Sequence, residues 1–434
     1  MQMKNKLKSE KGIMTMYVTV AVVTFTIILV ALFSLAVATR KNQIKTLIKI
    51  KEVYEQDNSK EEQIYLAKKE QIERQLPSTD DTNPYYPDDT FEKDDDTDLD
   101  NGLVIKDSIG NEYVWIEVPK SLYANSSYNT ETTTEDQKPS SSTDYNKIEY
   151  CLHKYTDYYR NGTSFTDEYP SDKVLAGTGL DSDAYTALKQ KMLKSVYKNG
   201  GFWIGRYEAG IEKNRTSKDE EITAAPLSKA GTVENAVYPY TYVTCSQAQT
   251  IASKLSTEKS YTSSLMFGVQ WDLVMKHIEV KEVAKGTELA EIQKALRDDS
   301  KNWGNYYNAS FTINRGKYAK YGAFNSAWRN YNTALANCVT YANGISTKVS
   351  TTDINYSILL TTGASDTCKK MNIYDLAGNV WEWTLEYTAN SYSPCVYRGG
   401  GYNSSGSNSP ASYRVFNSSN ASSGGAGFRT SLYK

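Results

Sequence analysis

The chain has 434 residues and a formal net charge of −2, so it can form one large domain or two ordinary ones, and it carries no overall field that would attract nucleic acid. It contains two histidines and five cysteines, and no Cys-x-x-Cys pair occurs. These counts argue against a histidine-rich metal centre, a zinc site and a Ser-His-Asp triad. We expect no nucleic-acid partner.

The first element along the chain is an apolar run, Ile13–Ala38, that contains no charged residue. As a helix it would be about 39 Å long, enough to cross a bilayer of about 30 Å with some tilt. The run is longer than the apolar part of a secretory signal, and no small-residue cleavage site ends it cleanly. We predict a basic leader at residues 1–12 and a transmembrane helix at residues 13–39. Basic residues on both sides leave its orientation open.

The stretch "KSEKGIMTMYV" (Lys8–Val18) resembles the type IV prepilin signature, a short basic leader with a glycine before a long apolar helix. The resemblance implies that Gly12 is the cleavage residue and Ile13 the first mature residue. The glutamate that the family has at its fifth mature position is Tyr17 here, which departs from a major pilin subunit. A pilin-like anchor and a plain signal anchor both remain open.

Two polar segments follow the apolar run. Residues 40–76 read as a charged helical stem that Pro77 ends, with apolar residues too sparse for a firm coiled coil. Self-association through a coiled coil or a pilus-like assembly stays open. Residues 77–100 contain three prolines and ten acidic residues against one lysine. We therefore expect an acidic linker, solvated and extended by the repulsion between its charges.

The remaining three-quarters of the chain carry short strand and helix patterns. Alternation in Asn111–Val118 and glycine-bounded Gly201–Gly210 predict two strands. Helical spacing predicts a helix capped by Asp183, a second that begins near Ser246, and a third around Trp271. Helices that come early and short strands that come late favour an α+β fold over a parallel sheet.

The most informative stretch is "NIYDLAGNVWEWTLE" (Asn372–Glu386). Glu382 lies between two tryptophans and needs a partner, because an unpaired buried carboxylate is costly. Asp375 lies across a Gly-Asn turn, and two carboxylates at a tight turn with free carbonyls suit a hard cation. The alternative is a surface hairpin in which the tryptophan pair belongs to the core.

Together with "YRGG" (Tyr397–Gly400) and "GFR" (Gly427–Arg429), this stretch resembles the formylglycine-generating enzyme, or sulfatase-modifying factor, family. Tyr242–Leu255 and Ser264–Ile278 resemble the family's helices. The resemblance covers residues 101–434 and implies a loop-rich α+β, C-type-lectin-like fold, here on a transmembrane helix and a helical stem.

The resemblance also implies that the Gly/Ser/Asn-rich C-terminal segment is ordered rather than a disordered tail. Its two arginines are expected to pair with carboxylates beneath the loops, and its phenylalanine to dock in the core. The implied structural frame consists of Arg398, Gly399, Gly400, Phe428, Arg429, Trp381 and Trp383.

The family's calcium loop maps onto Asp375, Gly378, Val380 and Glu382, which implies a structural calcium ion. The catalytic cysteines of the family would fall near Ser404 and Ser409, and no cysteine follows Arg398. Serine cannot supply the thiolate that copper-dependent oxidation needs. We therefore predict no catalytic residues, no copper and no iron, and interpret the family name as that of a domain rather than an activity.

These inferences predict a membrane-anchored, extracytoplasmic binding protein whose C-terminal loops contact an unknown protein or glycan ligand. Tyrosine supplies contact area at low entropy cost, and serine and asparagine supply hydrogen bonds. The predicted ligand-binding residues are Tyr402, Asn403, Ser404, Ser405, Ser407, Asn408, Tyr413, Asn417 and Asn420.

Three alternatives remain open. The C-terminal segment also resembles that of the variable proteins of diversity-generating retroelements, which share the fold. A minor, pilin-like tip subunit would have the same anchor. An enzyme with a divergent mechanism is the third alternative.

Overall fold

The structure is a computed structural model that describes residues 2–54, 75–129, 138–160, 165–166, 176–323, 327–388 and 390–434. The chain divides into two compact units, Met1–Gln75 and Leu76–Lys434.

The first unit is built on one continuous helix, α1 (Gln2–Tyr54). Within it, Met14–Leu47 is long and apolar enough to cross a membrane by length and composition, with a mean hydropathy of 2.8. The predicted span and the first part of the predicted stem are therefore one uninterrupted helix. The rest of the predicted stem, residues 55–74, lies outside the described residues.

The second unit combines helices with many short strands, which agrees with the predicted α+β class. The helices are α2 (Ser126–Asn129), α3 (Tyr145–Tyr155), α4 (Ser182–Asn199), α5 (Cys245–Ser253), α6 (Gly268–Ala284) and α7 (Leu289–Arg297). The strands are β1 (Glu92–Lys93), β2 (Val104–Lys106), β3 (Glu112–Glu117), β4 (Phe165–Thr166), β5 (Gly201–Gly205), β6 (Gly210–Ile211), β7 (Tyr238–Pro239), β8 (Thr262–Leu265), β9 (Phe311–Ile313), β10 (Lys317–Lys320), β11 (Trp328–Asn330), β12 (Val339–Ala342), β13 (Ile345–Lys348), β14 (Ile358–Leu360), β15 (Lys369–Lys370), β16 (Ile373–Tyr374), β17 (Trp381–Thr388), β18 (Cys395–Arg398), β19 (Arg414–Asn417), β20 (Ala426–Phe428) and β21 (Thr430–Tyr433).

The largest sheet has the strand order β1-β2-β3-β5-β21-β8. The C-terminal strand β21 lies inside it, with Leu432 opposite Trp203 of β5 on one side and Ser263 of β8 on the other. Strands β3 and β5 are almost wholly buried, which is why their hydrophobic patterns extend over both faces.

A second sheet positions the residues of interest. Strand β17 pairs with β18 antiparallel and with β20 in parallel, and β19 completes the far side of β18. Glu382 of β17 lies opposite Arg398 of β18 and beside Gly427 of β20. The two ends of the Gly/Ser/Asn-rich segment are therefore strands of one sheet.

The three predicted helices are present, and their capping residues refine the predictions. Asp181 rather than Asp183 caps α4, because its side chain accepts the N–H of Ala184 at 2.8 Å. Thr244 and Gln247 form a capping box that begins α5. Helices α2, α3 and α7 were not predicted.

The expected linker at residues 77–100 differs from an extended, solvated chain. Leu76 and Phe91 are buried against the large sheet, and β1 pairs with β2. Trp115 Nε1 donates to Thr82 Oγ1 at 2.8 Å, and Trp203 Nε1 donates to the Tyr85 carbonyl at 2.8 Å. Burial of the scattered apolar residues stabilises this packing by more than the repulsion between the acidic residues destabilises it. The acidic side chains stay at the surface, where water screens their charges. The boundary of the globular unit thus lies near Leu76 rather than residue 101.

Candidate functional site

The Gly/Ser/Asn-rich segment leaves β18 through two glycines that no other residue could replace without strain. Gly399 has φ 87° and Gly400 has φ 79°, in the left-handed region. A Cβ atom on Gly399 would lie 2.8 Å from the Leu376 carbonyl oxygen, and one on Gly400 would lie 2.3 Å from the Ser409 carbonyl oxygen. The segment therefore folds tightly against the domain at its start.

Arg398 secures this start through buried ion pairs. Its guanidinium donates to Glu386 Oε2 at 2.8 Å and to Asp272 Oδ1 at 2.7 Å, and it lies 5.5 Å from the ring centroid of Trp271. Arg414 contacts the same two carboxylates, with distances of 3.1 Å to Asp272 and 2.9 Å to Glu386. Two arginines and two carboxylates thus form a buried, electrically balanced group, which we call the four-charge network.

The other end of the segment is secured in the same way. Arg429 is fully buried and donates to both oxygens of Glu382, at 2.6 and 3.1 Å. Its remaining N–H groups reach the carbonyls of Gly205 and Tyr374 at 3.0 and 2.8 Å. Phe428 is fully buried, with its ring centroid 5.7 Å from that of Tyr240. The structure therefore places both arginines on carboxylates, as the sequence led us to expect.

Between these two ends, the surface of the second sheet carries a group of aromatic rings. The ring centroid of Trp381 lies 5.0 Å from that of Tyr397 and 6.1 Å from that of Tyr413. Asn417 Nδ2 donates to the Tyr397 hydroxyl at 2.7 Å. Tyr413 is 42% exposed, and the other three side chains are half-buried. We call Trp381, Tyr397, Tyr413 and Asn417 the aromatic face.

Two of these residues differ from their predicted roles or were missed. Trp381 was assigned to the structural frame, yet it is only half-buried, at the first position of β17. Trp383, in contrast, is buried, and its indole N–H donates to the Val243 carbonyl at 3.0 Å. Tyr397 was not predicted to contact ligand. A strand prediction for "CVYR" could have identified it, because Tyr397 lies opposite Trp383 in the sheet and cross-strand neighbours share one face.

The predicted ligand-binding residues separate into three groups by exposure. Ser407, Asn408, Tyr413 and Asn420 are exposed, and Asn403, Ser404 and Asn417 are half-buried. Ser405 and Tyr402 are buried, with Tyr402 only 1% exposed against Leu359 and Val380. Tyr402 is therefore a packing residue rather than an exposed anchor, because its ring fills the space beneath the loop.

Comparison with known proteins decides the family. The model of the sulfatase-modifying factor enzyme 1-like domain matches residues 163–432. The chain belongs to this family. The sulfatase-modifying-factor domain accounts for the C-type-lectin-like arrangement of a loop-rich mixed sheet with the C-terminal strand inside it.

Other comparisons add little. No curated protein matches the chain. Among the four solved chains that match is Treponema denticola variable protein 1, which is 13% identical over 55% of this chain and 97% of that chain, with a TM-score of 0.24. At that TM-score the likeness supports no argument about this domain.

The sulfatase-modifying-factor domain holds its predicted calcium-loop carboxylates in a buried group. Asp375 Oδ2 accepts the N–H of Gly363 at 2.9 Å, and Oδ1 has no hydrogen-bond partner among the described residues. Glu208, which the sequence analysis missed, accepts from the N–H of Val380 at 3.0 Å. Burial raises the pKa of Asp375 to about 7, and burial, followed by the charges of Asp375 and Glu382, raises that of Glu208.

These residues fit a cation only in part. The unpartnered oxygen of Asp375 suits a hard cation, but both oxygens of Glu382 are occupied by Arg429. In the part of the chain that the structure describes, no three His, Cys, Asp or Glu side chains are grouped as metal ligands. Calcium at Asp375, Gly378, Val380 and Glu382 stays a prediction.

The positions that resemble the family's catalytic cysteines offer no thiol. Ser404 is half-buried, and Ser409 is buried with its N–H on the Ser405 carbonyl at 3.0 Å. All five cysteines are buried and free of disulfides. A hydrogen bond with Cys395 and burial raise the pKa of Cys245, and burial raises that of Cys368. Such thiols are poor nucleophiles, because the reactive form is the exposed thiolate.

Proposed function

We propose that the protein is a membrane-anchored binding protein that displays its sulfatase-modifying-factor domain outside the cytoplasm. Ligand, either a glycan or a protein, would contact the aromatic face and the exposed loop residues beside it. One observation carries this proposal. The ends of the segment Arg398–Arg429 are buried and ion-paired, whereas its middle exposes a tyrosine and several amide and hydroxyl groups. A rigid frame beneath adaptable polar groups and aromatic rings is the composition of a binding surface.

Binding is tested by a glycan array and a pull-down with the full chain in detergent micelles. Tyr413→Ala and Asn408→Ala should each weaken capture of the ligand that the screen identifies, because both side chains are exposed on the segment between Arg398 and Arg429. Phe416→Ala is the matched control, since Phe416 is 52% exposed but alternates to the opposite side of β19 from Asn417. Unchanged binding by a Tyr413→Ala/Asn408→Ala double variant would show that the ligand binds elsewhere on the protein.

We also propose that the domain is not a formylglycine-generating oxidase. Serines at the positions that resemble the catalytic cysteines support it, as does the burial of all five thiols. The test incubates the protein with a cysteine-containing sulfatase-type peptide, with and without copper. Conversion of the peptide cysteine to an aldehyde would contradict this part and favour the alternative of an enzyme with a divergent mechanism.

The membrane anchor rests on α1, whose stretch Met14–Leu47 has the length and composition of a span. For an extracytoplasmic domain, protease added to intact cells should release or degrade the unit Leu76–Lys434. Full protection in cells with an accessible surface would contradict the orientation. N-terminal sequencing of the mature protein separates a pilin-like anchor, which would begin at Ile13, from a plain signal anchor. Purification of filaments would test a minor pilin-like tip subunit.

A second candidate is a variable protein of a diversity-generating retroelement. Asn408, Asn420 and Ser407 are exposed on the segment, so they tolerate replacement without a change in packing. A reverse-transcriptase gene beside this one, with a template repeat of the C-terminal stretch, would support it. Absence of both from the genome would reject it.

A further inference from the structure

A basic cleft lies away from the aromatic face, at the β8 edge of the large sheet. It has a volume of about 460 Å³ and is lined by residues from α4, from the loop before β8 and from the end of β21. Its volume lies within the roughly 300–1,000 Å³ range of small-molecule sites. The lining is polar, however, so it suits a charged or hydroxylated ligand rather than an apolar one.

Four lysines from three separate elements converge on this cleft, namely Lys191, Lys194, Lys259 and Lys434. Lys191 and Lys194 lie one turn apart on α4, so their side chains project from the same side of the helix. Both are exposed, and neither forms a salt bridge with any residue that the structure describes. Lys434 follows β21, whose Tyr433 pairs with Thr262 of β8.

Anions near the cleft neutralise only part of this charge. Lys259 Nζ lies 3.3 Å from Asp88 Oδ2, so one of the four lysines has a carboxylate partner. Glu258 is exposed but does not line the cleft. The lining therefore keeps an excess of positive charge.

Hydroxyl groups complete the lining. Thr262 makes no side-chain hydrogen bond with the described residues, and Ser260 Oγ donates to the Pro87 carbonyl at 3.1 Å, which leaves its oxygen able to accept. Lys434 Nζ lies 3.4 Å from the same carbonyl, a long contact that an anion can replace. The cleft thus offers ammonium groups for an anion and hydroxyl groups for a polar carrier.

We propose that this cleft binds a phosphate monoester carried on a small polyhydroxylated molecule. A phosphate monoester carries about −1.5 to −2 charges at pH 7, so it suits a lining with an excess of positive charge. Lysine binds phosphate as a point charge and needs no fixed orientation, so four lysines on three elements suffice. The volume leaves room for the carrier beyond the phosphate group.

The test is calorimetric titration of the full chain, in non-ionic detergent micelles at low ionic strength, with glycerol 3-phosphate. Glycerol is the uncharged control ligand, and methyl sulfate is the monoanionic one. We expect saturable one-to-one binding of glycerol 3-phosphate, weaker binding of methyl sulfate and none of glycerol. Titration with glucose 6-phosphate shows whether a sugar or a short polyol is the preferred carrier.

The decisive variant is Lys191→Gln/Lys194→Gln, which should weaken the affinity for glycerol 3-phosphate about tenfold, because each exposed ion pair contributes modestly. The matched control is Lys198→Gln/Lys213→Gln, which removes two exposed lysines that do not line the cleft. Both double variants should keep the tryptophan fluorescence of the wild-type protein. No saturable binding at 10 mM by wild type, equal weakening by the control variant, or equal affinity for methyl sulfate would each overturn the proposal.

Discussion

Replacement of Arg398 by methionine tests whether the four-charge network holds the C-terminal segment in place. Methionine keeps much of the length and the apolar stem but removes the guanidinium. Asp272 and Glu386 would then share Arg414 alone, which contacts them at 3.1 and 2.9 Å. The buried group changes from electrically balanced to one uncompensated negative charge, at a place where Arg398 is fully buried and Asp272 is 1% exposed.

The expected cost follows from that imbalance. Removal of one partner from a buried ion pair typically lowers the free energy of unfolding by about 3–5 kcal/mol, because the remaining charge is left without water or a counter-ion. A domain of ordinary stability has about 5–15 kcal/mol in total, so the loss is a large fraction. Glu386→Gln in the same chain restores the balance, since Asp272 then pairs with Arg414. We expect the double variant to be at least about 1 kcal/mol more stable than the sum of the two single changes predicts.

Urea unfolding of the full chain in detergent micelles, followed by tryptophan fluorescence, provides the measurement. All seven tryptophans lie after residue 101, so the signal reports on the second unit alone. Arg329→Met is the control, because Arg329 is exposed and its loss should change the stability by less than about 0.5 kcal/mol. A loss below about 1 kcal/mol for Arg398→Met, or strict additivity in the cycle, would refute the reasoning.

Three further predictions concern pH, packing and metal. Burial, with the charges of Lys281 and Lys285 next, lowers the pKa of His277 to about 3, so the unfolded chain binds a proton that the folded chain does not between about pH 6.5 and 3. Stability should fall as the pH is lowered through that range, by up to about 1.4 kcal/mol per pH unit, and His277→Gln should remove this part of the slope in unfolding titrations. Phe428→Ala should cost about 3–5 kcal/mol in the same urea assay through the cavity it opens, and a loss under 1 kcal/mol would mean that the site collapses to fill it. Calcium at the predicted site should raise the melting temperature of wild type relative to chelator, because a hundredfold excess over Kd stabilises the folded state by about 2.7 kcal/mol. Asp375→Asn should abolish this rise. Identical melting curves for wild type with calcium and with chelator would count against the site.

The sequence predicts the frame of the site better than its surface. The spacing of Arg398 and Arg429 around a glycine-rich segment, together with the family resemblance, was enough to predict that both arginines pair with carboxylates. It did not identify Asp272 as a partner of Arg398, because the two residues lie 126 positions apart in the chain and only the fold brings them together. A buried arginine predicts that a carboxylate lies near it but does not identify which one.

The surface was harder to predict for two physical reasons. Tyr402 and Tyr413 are the same residue type in the same loop, yet one is 1% and the other 42% exposed. Only the path of the loop after two left-handed glycines decides between them. Similarly, the acidic composition of residues 77–100 predicted a solvated linker, although a single Phe91 and a few contacts by Thr82 and Tyr85 are enough to fix the segment on the sheet.

The way the segment is attached has a consequence for how this surface can change. Its first end belongs to β18 and its last end to β20 and β21, so both ends are held by sheet pairing and buried arginines rather than by the loop itself. Substitutions at exposed positions such as Asn408 should therefore change stability by no more than about 0.5 kcal/mol. Even a doubling of the loop length would add only about 0.6 kcal/mol of closure entropy. The domain can thus exchange the chemistry of its outer loops almost independently of the stability of its core, and one scaffold can present many different surfaces.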